Sequence, residues 1–103
     1  MRLNQLLQRL EYAYLQGRVD IEVAEIINDS RKAKEGSLFF CIRGAVTDGH
    51  KYAKEVAEKG AAVLIVEEPV DVPEHTTVIQ VADTRYAMAL ISAAWYGYPA
   101  EEM

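Results

Sequence analysis

The sequence predicts an α/β fold, a small three-layer domain in which a mostly parallel sheet of about four to five strands is flanked by helices. Three observations carry this. Ser37 to Ile42 and Ala62 to Val66 are short continuous apolar runs of the kind that form strands buried on both faces. Between them, residues 50 to 59 carry a helical apolar face, so the three segments compose a strand-helix-strand unit, whose strands should be parallel and whose crossover should be right-handed. A second amphipathic stretch closes the chain after another strand pattern at Thr76 to Val81.

Taken from the start, Leu3, Leu6, Leu7 and Leu10 recur at helical spacing, with Asn4 as a candidate cap, and predict a helix over residues 4 to 15 ending near Gly17. Val19, Ile21 and Val23 alternate with Asp20, Glu22 and Ala24, the period-two pattern of a half-buried strand, and Ile26-Ile27 extends the apolar signal to the break at Asn28-Asp29-Ser30. The run containing Phe39 and Phe40, preceded by Gly36 and closed by Gly44, is the expected centre of the sheet. After the loop from Gly44 to Gly49, Tyr52, Ala53, Val56 and Ala57 share one helical face, and Gly60 sits at the C-terminal cap position. The acidic segment Glu67 to His75, with Pro69 and Pro73, reads as a surface loop. Nine residues are few for a crossover, yet the strand that follows is expected to be parallel. Asp83 is placed to cap a last helix whose apolar face combines Tyr86, Ala87, Leu90, Ile91 and Ala94, and which ends at Gly97 and Pro99.

The chain has 103 residues, enough for one core without disulfides or metal, and 1–103 is expected to be a single domain. Its ending gives no structural reason for a natural terminus, so the chain reads as part of something longer. A net charge of −5 argues against a general nucleic-acid surface, and any anionic ligand must be held locally. The lone Cys41 lies inside an apolar run and suits a reducing compartment. No stretch approaches a membrane span or a signal peptide, which makes the cytoplasm the expected location.

Candidate chemistry concentrates where strand ends meet loops. In an open α/β sheet ligands sit at the C-terminal ends of strands. Asp29-Ser30-Arg31 follows one strand, and Gly44 to Gly49 follows the next and leads into a helix N-terminus that can attract an anion. Each residue also has a structural reading. Ser30 can bond its own turn, Asp29 and Arg31 can pair with each other, and Gly44 and Gly49 can serve positive φ. His50 with Asp48 invites a dyad, but no nucleophile is fixed near them and Asp48 reads better as an N-cap. Cys41 reads as a core thiol. His75 has no Cys or second His near it, so no metal site is expected, and no catalytic residue is assigned. The Tyr and Trp residues read as packing groups. Phosphate-loop and dinucleotide fingerprints are both absent. The residues alone describe a binding domain.

Asp29-Ser30-Arg31, Gly36-x-Leu38-Phe39, Gly44, Asp48-Gly49-His50-x-Tyr52, Ala57, Gly60-Ala61 and the Val-Leu-Ile-Val strand resemble the N-terminal domain of the Mur ligases of peptidoglycan synthesis. The likeness covers about residues 3 to 100. The segment from Asp83-Thr84-Arg85 to Trp95-Tyr96-Gly97-Tyr98-Pro99 is most similar to the family's E branch, the UDP-N-acetylmuramoyl-tripeptide synthetases, rather than to its F branch. The resemblance implies an ATP-dependent ligase that activates the D-glutamate carboxyl of UDP-MurNAc-L-Ala-D-Glu for attack by the amine of diaminopimelate or L-lysine. ATP and magnesium belong to a central domain, and the incoming amino acid to a third. Both domains are absent here and would be partners within one polypeptide, so no cofactor is expected in this domain and the fragment alone should be inactive. The implied substrate contacts are Ser30, Asn28, Ala45, Val46 and Thr47, with Asp29, Arg31 and Gly44 as loop supports. At Asn28, Ala45 and Val46 the contacts would be through backbone. Glu35 departs from the Pro common in the family, and Phe40-Cys41 from its smaller aliphatics. The reading from another class is a self-sufficient α/β interaction module whose two loops bind a protein.

Overall fold

A computed structural model describes residues 2–42 and 48–96. Five strands form one sheet in the order β1-β5-β4-β3-β2: β1 Ala13–Gln16, β2 Glu25–Ile27, β3 Ser37–Phe40, β4 Val63–Val66 and β5 Thr77–Gln80. β2 through β5 are mutually parallel, and only β1 runs antiparallel, against β5. The mostly parallel α/β expectation holds, and β5 takes the parallel direction expected of it. The middle strand is β4, with β3 beside it.

Alternation along the buried strands divides the core in two. Leu38, Phe40, Val63, Ile65 and Ile79 face one way, where α1 (Leu3–Leu6) and α3 (Thr84–Trp95) cover them with Leu3, Leu6, Ala87, Ile91 and Ala94. Phe39, Cys41, Leu64, Val66 and Val78 face the other way, under Ala53, Val56 and Ala57 of α2 (Ala53–Glu58). β3 and β4 are buried at every position, as strands covered on both faces must be. The ten-residue connection from β4, residues 67–76, reaches β5 without a helix because Val70 and Val72 pack onto the α2 side themselves.

Three local expectations are corrected. The leucines at 3, 6, 7 and 10 do face the core, but α1 spans only four residues, Arg2 rather than Asn4 caps it, and Ala13–Gln16 is a strand. β1 pairs through its backbone, Ala13 opposite Gln80 and Tyr14 opposite Ile79, and closes an edge that β5 would otherwise leave open. The Val19-Ile21-Val23 alternation marks burial without a ladder: Val23 is buried, while among the described residues the β-type pairing there is the single bridge from Glu22 to Arg2. On α3, Tyr86 is exposed rather than part of the apolar face. No helix among the described residues is long and apolar enough to cross a membrane.

Candidate functional site

β2 and β3 end side by side, and the segments that leave them form the two walls of a cavity of about 650 Å³. One wall is Asn28 to Arg31, and the other carries Gly49, Tyr52 and Glu55. The floor is the end of β3 with Phe39, Phe40 and Ile42. The polar loops converge at the C-terminal edge of the sheet, as the sequence led one to expect. Gly44, Ala45, Val46 and Thr47 lie outside the described residues.

The first wall is a 3-10 turn, Ser30–Lys32, whose N-cap is Asp29. The Asp29 carboxylate accepts the Arg31 N–H at 2.9 Å and grips the guanidinium with both oxygens, Nε to Oδ1 at 3.1 Å and Nη2 to Oδ2 at 3.0 Å. These bonds, the guanidinium first and the backbone N–H second, pull the Asp29 carboxyl down to about 2. Because Asp29 caps the turn, Ser30 is not needed for it. Among the described residues the half-buried Ser30 hydroxyl has no hydrogen-bond partner, although it lines the cavity. The Ser30 carbonyl is engaged instead, accepting Ala33 N–H at 3.3 Å and the Lys59 ammonium at 3.2 Å, which straps this wall to α2. Asn28 is exposed at the rim.

The second wall begins with Asp48, which caps the 3-10 turn Gly49–Tyr52 by accepting the His50 N–H at 2.9 Å. Gly49 is not among the glycines at positive φ, so its role differs from the one its type suggested. It is glycine because the turn lies against the end of β3: its N–H donates to Ile42 O at 2.8 Å, and a Cβ would stand 2.8 Å from Ile42 N. Tyr52 is half-buried, with the Lys51 ammonium 5.2 Å from its ring centre. The sequence reading placed Tyr52 on the core face of the helix and missed its place in the wall. Its position at the junction of two turns was the available signal.

His50 and Asp48 also meet through their side chains, with Nδ1 2.7 Å from Asp48 Oδ1. Nε2 accepts the backbone N–H of Glu67 at 2.9 Å. With both ring nitrogens committed, the imidazole has no atom to spare for proton abstraction or for a metal. The carboxylates of Asp48 and Glu68 lie with the His50 nitrogen inside 4.8 Å of one another, and the same commitment disqualifies that cluster as a ligand set. Cys41 is fully buried beneath the site, and burial, helped by the charge of Asp48, pushes its thiol up to about 12. It is no nucleophile. His75 is exposed in its loop, away from the cavity.

The cavity thus offers the Ser30 and Tyr52 hydroxyls, neither with a hydrogen-bond partner among the described residues, together with aromatic rings, one guanidinium and a glycine-lined wall, and no activated nucleophile among the described residues. That set suits holding a ligand rather than transforming it. Residues 22–96 match the Mur ligase family, catalytic domain. The chain is 42% identical over 102 residues, 99% of its length, to a UDP-N-acetylmuramoyl-L-alanyl-D-glutamate--2,6-diaminopimelate ligase of Clostridioides difficile, and covers 21% of that protein. The ligase of the same name from Listeria monocytogenes is 42% identical over 103 residues, again with 21% of its length covered. Among solved structures, MurF from Acinetobacter baumannii superposes on 90% of this chain with a TM-score of 0.80 and 31% identity, over 20% of its own chain. The chain therefore spans about a fifth of the length of the relatives it matches.

Proposed function

We propose, from the premise that this chain belongs to the Mur ligase family, that it is the N-terminal domain holding the uridine diphosphate end of UDP-MurNAc-L-Ala-D-Glu in a ligase that adds 2,6-diaminopimelate. Support for the branch comes from the margin between 42% identity to relatives named for that reaction and 31% to a MurF. A single observation carries the site: the Ser30 hydroxyl lines the cavity and has no hydrogen-bond partner among the described residues. A donor left unspent beside a polar cavity is available to a phosphate or a uracil oxygen.

Arg31 contributes a cation from the same wall, and Tyr52 offers a ring face to a base. Asn28 stands beside Ser30 at the rim and is proposed as a backbone contact, as are Ala45 and Val46 from the sequence resemblance, which also implies Thr47 as a contact. ATP and magnesium belong to the complete ligase. The residues of this chain do not fit them, because there is no phosphate loop in the sequence and the imidazole of the cluster at Asp48, His50 and Glu68 is fully committed. No chemical step is assigned to this chain, and its task is to fix one end of a substrate whose glutamate carboxyl reacts elsewhere in the polypeptide. A cytoplasmic location follows from the nucleotide-linked substrate.

In the complete ligase, Ser30→Ala is expected to raise the KM for UDP-MurNAc-L-Ala-D-Glu about tenfold, the equivalent of one hydrogen bond of roughly 1.4 kcal/mol, with the KM for ATP unchanged. An unchanged KM for the UDP substrate overturns the assignment.

A further inference from the structure

We propose that His50 is a positioning residue for the cavity, acting as a two-ended strut that fixes the wall bearing Gly49 and Tyr52. The proposal rests on the reading that this cavity takes the uridine diphosphate end of the substrate.

His50 is buried, with a residue exposure of 8%, and stands between two liners of the cavity on a turn of four residues. Its two nitrogens reach in different directions. Nδ1 meets Asp48 on its own turn, and Nε2 meets the N–H of Glu67, the first residue beyond β4. An imidazole nitrogen that accepts an N–H carries no proton, so the ring's proton lies on Nδ1 and is donated to Asp48. A proton on Nε2 would face the Glu67 N–H. The Asp48 carboxylate thereby selects the tautomer as well as capping the turn.

The far end of the strut is itself held. Glu67 Oε2 accepts the Thr84 N–H at 2.8 Å and the Thr84 hydroxyl at 2.9 Å, while Glu67 O accepts the Gln80 amide at 3.0 Å. Asp48, His50, Glu67 and Thr84 thus form one hydrogen-bonded line from the cavity wall to the N-terminus of α3. Asparagine at position 50 reaches only the near partner and glutamine only the far one, whereas imidazole satisfies both. The ring touches no part of the cavity. It acts through the backbone of Gly49 and the placement of Tyr52.

A wall that shifts loses binding made equally in ground and transition states, and such a loss appears in KM rather than kcat. In the complete ligase His50→Ala is expected to raise the KM for UDP-MurNAc-L-Ala-D-Glu about tenfold while kcat and the KM for ATP stay within about twofold. His50→Gln, which keeps an acceptor for the Glu67 N–H, is expected to recover about half of that loss on a logarithmic scale. A purely structural role would instead lower the active fraction and the melting temperature without a selective change in KM. A wild-type KM in His50→Ala, or an equal rise in the KM for ATP, overturns the proposal. Ser30→Ala assayed in parallel separates the two claims: a raised KM there with none in His50→Ala sinks the strut alone, and a wild-type KM in Ser30→Ala sinks the cavity reading. If His50→Ala does not fold, the Gln variant carries the kinetic test, and a wild-type KM in that variant together with an imidazole protonated at Nε2 in the nitrogen NMR of the unsubstituted protein overturns the strut.

Discussion

Gly49→Ala separates close packing from backbone freedom as the reason for a glycine in the cavity wall. The added Cβ would lie 2.8 Å from Ile42 N, 3.0 Å from Ile42 O and 3.2 Å from Cys41 Cα, where ordinary contacts are 3.4 Å or more. Each of these is a backbone atom at the end of β3, so no side chain can swing aside, and the turn must lift by about 0.6 Å, the shortfall at the nearest contact. Overpacking of this kind costs ~1–3 kcal/mol, and lifting the turn weakens the 2.8 Å bond from Gly49 N–H to Ile42 O, worth about 1 kcal/mol. Alanine returns ~0.4–1 kcal/mol by stiffening the unfolded chain. The net expectation is a loss of roughly 2 kcal/mol, or roughly 10 °C in Tm for a domain of this size. Urea unfolding of the 103-residue chain, followed through Trp95, which packs against the α3-side core, reads this directly. An alanine variant within about 0.5 kcal/mol of the parent, or more stable, refutes the close-approach argument.

The carboxyl of Asp29 is expected to titrate near 2 by carbon NMR, and Arg31→Ala should return it towards its ordinary 3.8. Because the folded value lies below the unfolded one, the stabilising contribution of this pair is complete above 3.8 and fades as pH falls towards 2, and a wild-type midpoint at 3.8 contradicts the bidentate pairing. The Cys41 thiol should resist iodoacetamide at pH 8 in the folded protein and react only at the rate of opening, while rapid alkylation would show that it is not buried. Its raised folded value means that stability from the neutral thiol is present below the ordinary 9.0 and declines as pH climbs towards 12.

What the sequence made legible was whatever is buried on a regular period. β3, β4 and α3 announce themselves because every side chain on the two strands is buried and because Asp83 caps the helix with bonds to Arg85 and Tyr86 N–H. β1 did not, since an edge strand exposed along most of its length leaves no alternation to detect, and the leucine spacing just before it extended the helical pattern past its end. The Val19 to Val23 segment misled in the opposite sense, its alternation reflecting contact with the core rather than pairing. Residue types did place the two polar loops at one cavity, but the division of labour inside Asp29-Ser30-Arg31 was fixed by geometry: Asp29 takes the cap of the turn that Ser30 could have bonded. Nor does any local pattern reveal that His50 pairs with a backbone N–H 17 residues away.

Under the proposed reading, that division explains how a chain of net charge −5 would accept an anionic ligand. The one guanidinium lining the cavity is tied to Asp29, so the wall presents a preorganised cation without a free positive field. Asp48 is spent on a turn and an imidazole, and Glu67 on the start of α3, while Glu55, which lines the cavity, has the Lys59 ammonium 3.9 Å away, so each of these carboxylates has donors or a cation within the fold. Under the proposed reading, attraction for phosphate then depends on short-range donors, the Ser30 hydroxyl foremost, rather than on overall charge. Such donors act only at hydrogen-bonding distance, and so, on the proposed reading, the rigidity of the walls, with Lys59 bonded on one side and His50 on the other, would decide how well the cavity binds.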